Sequence, residues 1–201
     1  MKLRFSPTSP FVRKVRLSAH ELGLQDRIEL VPTDAWSPET DLATDNPLGK
    51  VPTLIFDDGR SLAESGLICE YLDELAGGSL FPKTPDRWDI MRRYAVADGM
   101  ITATVARLIE QFRRPKEVHW QGWVDRQSTN IQRSLKFLED ECPRFKTPWT
   151  IAEIATICGL SYLDFRSPDD DWRTPHPTLA AWYDDAKQRP SAVATELKMP
   201  S

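Results

Sequence analysis

The chain contains 201 residues, of which 40% are hydrophobic and 28% are charged, the composition of a globular protein with enough apolar material for one large or two small domains. Its formal net charge of -4 argues against nucleic acid or an anionic membrane surface as the main partner. Three widely spaced cysteines (Cys69, Cys142 and Cys158), no secretory signal and no run of membrane-spanning length together favour a cytoplasmic protein with free thiols.

The chain begins with alternating strand and helix signals. Residues 2–5 form a short candidate strand, which the proline-rich residues 6–10 interrupt. The pattern then predicts a helix from about Pro10 to Leu22. Gly23 is its expected C-terminal stop, because glycine readily adopts the left-handed conformation found there. Residues 28–31 predict the second strand.

Two further strands and a helix complete this first half. The apolar run 53–56 and residues 60–62 predict strands, and Asp57-Asp58-Gly59 between them predicts a hairpin turn. The helix that follows has its apolar residues on one face, namely Leu67, Ile68, Tyr71, Leu72 and Leu75. The order βαβ followed by ββα is typical of a thioredoxin-like domain, which we assign to residues 1–77.

The strand signals end at a linker, residues 78–86, which is rich in Gly, Ser and Pro. Thr84 and Pro85 fit the N-cap and the first position of a long helix, which Pro115 ends. Its apolar residues recur at steps of three and four: Ile90, Tyr94, Ala97, Ile101, Val105, Leu108 and Phe112.

Three more helices are predicted after this one. The first has an inner side made of Val124, Ile131, Leu135 and Leu138. Thr150 and Glu153 predict a capping box at the start of the next, which runs from Ile151 to about Phe165. The last lies near residues 179–187. We therefore expect an α/β domain followed by an all-α helical bundle at residues 87–201.

The stretch from Asn46 to Leu54 carries the strongest functional signal. Pro52 stands at the entry of a strand, where a proline is tolerated because it does not have to donate to the ladder. A cis Val51-Pro52 bond would leave this backbone facing outward, able to pair with an extended peptide. Glu64 and Ser65 then open a helix whose N-terminus favours an anion. The segment predicts a site for a short peptide with a carboxylate beside it.

Five motifs in this order resemble those of the cytosolic glutathione S-transferases. They are residues 9–16, 46–54, 64–65, 150–154 and 189–191. The likeness is greatest to bacterial serine-type transferases of the YibF-like branch, which similarly read S-P-F-V-R-K and N-P-L-G-K-V-P. The resemblance implies a glutathione-binding thioredoxin-like domain, a helical second domain and a homodimer. It implies glutathione as co-substrate with no other cofactor.

Ser9 is the residue that the resemblance aligns with the catalytic serine or cysteine of the family. Its plainer interpretation is an N-cap before Pro10. Lowering a thiol pKa from about 8.5 to about 6.5 requires roughly 2.7 kcal/mol. A hydroxyl that donates to the thiolate supplies about 1.5–3 kcal/mol, and a helix N-terminus about 0.3–1 kcal/mol. Ser6 and Thr8 are close enough in sequence to be alternatives.

The resemblance also implies residues that bind glutathione. Val51 pairs its main chain with the cysteinyl unit, and Pro52 belongs to the same glutathione-binding set. Glu64 and Ser65 hold the γ-glutamyl end, and Lys50 meets the glycine carboxylate. Two of these residues have plainer interpretations. Glu64 suits the first turn of any helix because of the helix dipole, and Lys50 is equally well an ordinary exposed lysine.

The second substrate is expected to be a small hydrophobic electrophile in a pocket between the domains. We assign its wall to Thr8, Met100, Thr104 and Arg107. The three histidines have no paired metal-ligand spacing with one another or with the cysteines, so no metal site is expected.

A serine at position 9 favours conjugation or glutathione-assisted isomerisation, because it cannot form the mixed disulfides that a cysteine would. Peroxide reduction stays open as a third reaction, and detoxification is the expected context. The alternative from another class is a non-catalytic binding or regulatory scaffold, like the stringent-starvation proteins that resemble transferases but contact polymerase. The joint presence of Ser9, Val51, Glu64 and Ser65 favours the enzyme, since a scaffold does not need them together.

Overall fold

The computed structural model describes residues 1–199, which divide by their contacts into two units. The first unit contains Met1–Thr84 together with the described residues from Pro190 onward, and the second contains Pro85–Arg189. Each unit has its own buried apolar core. The predicted linker, residues 78–86, contains the point at which the first unit gives way to the second.

The first unit is built on a mixed sheet with the strand order β2-β1-β3-β4. The strands are β1 (Lys2–Phe5), β2 (Glu29–Pro32), β3 (Thr53–Ile55) and β4 (Ser61–Ala63). β1 runs parallel to β2 and antiparallel to β3, and β3 pairs with β4 across the predicted hairpin. The βαβ–ββα order is therefore confirmed, with strand ends within one or two residues of those predicted.

Two helices belong to this sheet, α1 (Pro10–Glu21) and α2 (Ser65–Ala76). Gly23 has a φ of 67°, which confirms the predicted stop after α1. On α2, Ile68 and Leu72 are buried as expected, but Leu67 is 54% exposed. The predicted apolar face of α2 was too wide, because the buried side of this helix spans only part of its apolar stripe.

The second unit consists of long helices, as predicted. They are α3 (Arg87–Phe112), α4 (Gln121–Glu141), α5 (Ile151–Arg166) and α6 (Pro177–Ala186). α3 packs against both α4 and α5. Gly159 of α5 permits this approach, because a Cβ atom at that position would lie 2.5 Å from Cε of Met100.

One of the two cap predictions for the second unit is confirmed and the other was wrong. α5 begins with the predicted capping box, in which the Glu153 carboxylate accepts the main-chain N–H of Thr150 at 2.7 Å. The prediction of Thr84 and Pro85 at the start of α3 was wrong. The helix begins at Arg87 with Asp86 as its N-cap, because the carbonyl of Asp86 is the first to accept helical N–H groups.

The end of the described chain differs from the predicted helical domain of 87–201. A short helix, α7 (Pro190–Ala194), packs with the first unit. The Arg13 guanidinium of α1 donates to the Ala192 carbonyl at 3.2 Å, and the Ser191 hydroxyl bonds to the Glu21 carboxylate. These contacts to α1 are the physical reason why the described residues after Arg189 leave the helical unit.

Candidate functional site

The strand register brings three of the predicted motifs to one edge of the sheet. Thr53 of β3 lies opposite Arg4 of β1 and opposite Ala63 of β4. Both pairings are antiparallel and neighbouring strands lie about 4.8 Å apart. The end of β1, the start of β3 and the end of β4 therefore meet at this edge, which we call the Thr53 edge. Residues 6–9, 50–52 and 64–65 all continue directly from it.

Ser9 is the N-cap of α1, as predicted. Its Oγ accepts the main-chain N–H of Val12 at 3.3 Å, and Pro10 occupies the first helical position. Within residues 1–199 the Ser9 hydroxyl proton has no acceptor. Because capping uses a lone pair and leaves the proton unused, the hydroxyl can still donate to a ligand.

The two alternatives to Ser9 interact with each other. The hydroxyls of Ser6 and Thr8 lie 3.2 Å apart, and either can be the donor. Ser6 and Thr8 belong to the turn between β1 and α1, whereas Ser9 is at the helix N-terminus itself. Only Ser9 therefore combines a free hydroxyl proton with the positive end of the helix dipole.

The backbone at Val51 is free to pair with a ligand. The Val51-Pro52 peptide bond is cis, the case that the sequence left open, and Pro52 is buried. Neither the N–H nor the carbonyl of Val51 has a hydrogen-bond partner within residues 1–199, and the residue is half-buried. A main-chain donor and acceptor are thus presented at the Thr53 edge, as strand addition requires.

The N-terminus of α2 also lies at this edge, and no side chain among residues 1–199 caps it. Ser65 is its first residue and is 3% exposed, and its hydroxyl has no partner within the described residues. Glu64, the N-cap, makes no side-chain bond to the helix and has a φ of 73°. This is the one left-handed non-glycine residue within residues 1–199. Such conformations cost free energy and concentrate at functional sites.

A loop between β2 and β3 supports the edge from one side. The Arg4 guanidinium donates to Asp45 at 2.7 Å and to Asp41 at 3.0 Å. The hydrogen bonds that Arg4 donates to Asp41 and then to Asp45 hold the pKa of Arg4 above its usual value, and Arg4 in turn lowers the pKa of Asp41. These ion pairs anchor the loop to β1 a few residues before the loop reaches Lys50. The side chain of Lys50 is exposed.

Asn46 and Thr53 belong to the stretch that the sequence singled out, but the sequence assigned neither residue a role of its own. Asn46 is 1% exposed, and its amide donates to the Lys50 carbonyl at 2.8 Å and to the Thr53 hydroxyl at 3.0 Å. The Asn-Pro sequence at 46–47 is a turn signal, but its side-chain partners depend on the fold.

The residues assigned to the electrophile pocket have other contacts in the structure. Met100 is fully buried and meets Gly159, and the Thr104 hydroxyl donates to the Met100 carbonyl at 2.8 Å. Arg107 is 8% exposed and donates to Asp170, Ser167 and Ser128. Met100 and Thr104 are both buried in these contacts. A pocket wall at these positions, as at Thr8, stays a prediction.

Each of the three histidines has its own surroundings, and His119 is half-buried, with Nε2 3.0 Å from the Arg114 carbonyl. His176 is buried, with Nδ1 2.7 Å from the Trp172 carbonyl, and burial lowers the pKa of His20. Among residues 1–199 no group of three or more His, Cys, Asp or Glu side chains is arranged to hold a metal ion. No helix in that range is long and apolar enough to cross a membrane.

Comparison with known proteins identifies the family. Models of the glutathione S-transferase N-terminal and C-terminal domains match residues 8–75 and 121–185. The uncharacterized GST-like protein YibF of Escherichia coli K12 is 32% identical over 201 residues, which cover 98% of each chain. The chain belongs to the glutathione S-transferase family. The resemblance to the YibF-like branch is confirmed, and the two-unit architecture is the glutathione S-transferase fold.

Solved structures of other family members agree with this assignment. A glutathione transferase family member from Pseudomonas fluorescens Pf-5, with bound glutathione, is 41% identical with a TM-score of 0.93, over 98% of this chain and 99% of that chain. A glutathione S-transferase from Methylobacillus flagellatus KT, with GSH bound, is 34% identical with a TM-score of 0.91, over the same shares.

Proposed function

We propose that this family member is a glutathione transferase that binds glutathione at the Thr53 edge and uses Ser9 to stabilise its thiolate. The thiolate then attacks a small hydrophobic electrophile. One observation carries the proposal: the register that sets Thr53 opposite both Arg4 and Ala63. It brings a helix-capping hydroxyl, an unpaired main-chain segment and an open helix N-terminus to the same edge. Related proteins of this fold are described with glutathione bound.

The peptide part of the ligand matches the groups at this edge. The free N–H and carbonyl of Val51 pair with the cysteinyl unit in the manner of an added strand. The γ-glutamyl carboxylate meets the Ser65 hydroxyl and the N–H groups at the start of α2, where the helix dipole favours a negative charge. Glu64 accepts the α-amino group, and the exposed Lys50 meets the glycine carboxylate.

The reaction needs a thiolate near neutral pH. A free thiol has a pKa of about 8.5, so each unit by which the site lowers it requires about 1.36 kcal/mol. One charge-assisted hydrogen bond from Ser9 contributes about 1.5–3 kcal/mol. The N-terminus of α1 adds about 0.3–1 kcal/mol. These contributions suffice for about two units without a general base, and no cofactor beyond the co-substrate glutathione takes part.

The experiment that tests the function has two stages. The purified protein should stay on immobilised glutathione and be released by free glutathione, and it should conjugate glutathione to an aryl halide. Separate assays of conjugation, glutathione-dependent isomerisation and peroxide reduction would then select among the three reactions. Activity in the conjugation assay alone would identify a conjugating enzyme. Retention without any of the three would support the non-catalytic scaffold. Failure to bind glutathione at all would contradict the proposal.

The proposal includes a homodimer, chiefly because the family resemblance implies one, and two-fold pairing is the commonest closed assembly. The mass of one chain is 23.0 kDa. Light scattering at micromolar concentration should give about twice that mass. A stable value equal to one chain would contradict the dimer.

We also propose that the protein acts in the cytoplasm. Cys69, Cys142 and Cys158 form no disulfide within residues 1–199 and all are buried, which suits a reducing compartment. Cell fractionation should recover the native protein with the soluble cytoplasmic markers, and its recovery in another fraction would contradict this proposal.

A further inference from the structure

We infer that Asn46 and Thr53 are positioning residues that orient the Val51 N–H toward glutathione. This inference rests on the proposed function, because it assigns a task in that same site. Neither side chain needs to touch the ligand. They act through the peptide unit between Lys50 and Val51, whose orientation they fix from the protein side.

Asn46 organises the loop that leads into β3. Its main-chain N–H donates to Leu42 at 2.9 Å, and its carbonyl accepts Gly49 at 2.8 Å. The side-chain Oδ1 accepts the Leu48 N–H at 2.9 Å. The Nδ2 group then donates to the Lys50 carbonyl at 2.8 Å and to the Thr53 hydroxyl at 3.0 Å. Every polar atom of this buried residue is therefore used within the loop.

The Lys50 carbonyl is the point at which these contacts converge. It accepts Nδ2 of Asn46 at 2.8 Å and the Thr53 hydroxyl at 2.9 Å. The Thr53 hydroxyl, which accepts from Asn46 and donates to Lys50, is itself fully buried. Two donors on one carbonyl oxygen leave its direction little freedom, because hydrogen bonds weaken steeply as they bend.

The orientation of the Lys50 carbonyl determines that of the Val51 N–H. Both belong to one planar peptide unit, in which the C=O and N–H of a trans bond point in opposite directions. Fixing the oxygen toward Asn46 and Thr53 thus directs the N–H away from them. This N–H has no partner within residues 1–199. A main-chain donor that is held in place before the ligand arrives saves the cost of ordering it on binding.

The positions of the two residues explain why both are needed. Thr53 is the first residue of β3, and its main chain is paired with Arg4 and Ala63. It therefore ties the Lys50 carbonyl to the sheet. Asn46 ties the same oxygen to the loop anchored by Arg4 through Asp41 and Asp45. The Val51 N–H is thus fixed relative to β1 and β4, the strands that lead into the segments containing Ser9 and Ser65.

The test compares two substitutions at one buried position. Thr53→Val removes the hydroxyl and keeps the β-branched shape that suits a strand. Thr53→Ser keeps the hydroxyl and removes a methyl group, so it is the matched control. Calorimetric titration with glutathione should show a dissociation constant about tenfold higher in Thr53→Val, equal to about 1.4 kcal/mol. Thr53→Ser should bind within about twofold of the unchanged protein, well under one decade.

A second readout separates positioning from general loss of structure. In nitrogen-15 spectra the Val51 amide resonance should shift when glutathione is added to the unchanged protein and to Thr53→Ser. In Thr53→Val that response should be smaller at saturating glutathione, while resonances of α2 respond as before. A uniform loss of dispersion would show a folding defect instead. In that case Asn46→Asp, which keeps an acceptor for Leu48 but lacks the Nδ2 donor, takes the place of Thr53→Val, with the same tenfold loss expected.

The outcomes distinguish the inference from the proposed function. Weaker glutathione binding in Thr53→Val or Asn46→Asp, with binding retained in Thr53→Ser, supports the inference. Equal affinity in the folded variants and the unchanged protein overturns it and leaves glutathione binding intact. Absence of glutathione binding to the unchanged protein would overturn both.

Discussion

The hydroxyl oxygen of Ser9 lies 3.3 Å from the main-chain nitrogen of Val12, whose N–H it accepts as the N-cap of α1. This single contact carries both interpretations of Ser9 that the sequence left open. The cap uses a lone pair, and the proton stays available to a ligand thiolate at the positive end of the helix. Capping and thiolate stabilisation are therefore compatible, and measurements have to separate them.

Loss of the Ser65 hydroxyl should weaken glutathione binding. Ser65 begins α2 and is buried, so a ligand carboxylate held there would lose a donor that water cannot easily replace. Removing one partner from a buried polar contact costs about 1–3 kcal/mol. Calorimetry on Ser65→Ala should therefore give an affinity about tenfold lower, at 1.4 kcal/mol per decade.

A matched control for this variant is Ser134→Ala on α4, where the hydroxyl donates to the Asn130 carbonyl of its own helix and to nothing else in residues 1–199. Its glutathione affinity should not change. An unchanged affinity in Ser65→Ala as well would place the ligand elsewhere.

Glu64 should be a residue at which stability and binding change in opposite directions. Its φ of 73° is unfavourable for a residue with a Cβ atom. Glycine adopts such angles freely, so Glu64→Gly should raise the free energy of unfolding by about 1 kcal/mol. The same variant should bind glutathione more weakly, because the acceptor for the α-amino group is gone.

The control for Glu64→Gly is Glu70→Gly, an exposed position inside α2. Glycine within a helix costs about 1 kcal/mol relative to good helix formers, so this variant should be less stable. Urea unfolding of both proteins measures the difference. A loss of stability in Glu64→Gly as large as that in Glu70→Gly would show that the backbone at Glu64 stores no strain.

The cysteines should be unreactive in the folded protein. All three are buried, and burial, followed by the charge of Glu139, raises the pKa of the Cys142 thiol to about 11. An aromatic disulfide reagent at pH 8 should label the native protein slowly and release its full three equivalents only in denaturant. Rapid labelling of the native protein would contradict the burial seen here.

The raised pKa of Cys142 also has a consequence for stability at high pH. In the unfolded chain the thiol ionises near pH 8.5, whereas in the folded protein it does so at about 11. Between these values the unfolded state releases the proton first, so stability falls as pH rises. Unfolding curves at pH 8 and pH 10 should show a smaller decline in Cys142→Ala than in the unchanged protein.

Much of the fold could be predicted from local signals, because caps and turns depend on a few neighbouring residues. Ser9 with Pro10, Gly23, the 57–59 turn and the Thr150–Glu153 capping box all lie where the sequence predicts them. The prediction of the start of α3 was wrong because Thr84 and Asp86 are both good capping residues and lie only two positions apart. The choice between them was made by the turn that precedes Arg87.

Features that depend on tertiary packing could not be predicted in this way. Leu67 and Phe112 fit the helical apolar patterns, yet they are 54% and 74% exposed. Which part of an apolar stripe is buried is decided by the neighbouring elements, and the pattern of one helix does not contain that information. The same holds for α7, which is short and is held by α1 through Arg13 and Glu21.

The candidate site shows the same division. The sequence indicated a set of site residues because their types and order resemble the motifs of the glutathione S-transferases. These residues are Ser9, Val51, Glu64 and Ser65. Their common location follows only from the pairing of β1, β3 and β4. The roles of Asn46 and Thr53 within the 46–54 stretch could not be predicted, because their partner is a main-chain carbonyl, and a hydrogen bond between a side chain and that carbonyl leaves no pattern of spacing in the sequence.

The most direct test of the account is the pKa of glutathione bound to this protein. The thiolate absorbs in the ultraviolet, so titrating the complex gives the pKa of the bound thiol, which should lie well below the free value of about 8.5. In Ser9→Ala that pKa should rise by about one to two units, because one charge-assisted hydrogen bond is lost, while glutathione affinity changes little. Identical titration curves for the unchanged protein and Ser9→Ala would contradict the account and leave Ser9 as a helix cap alone.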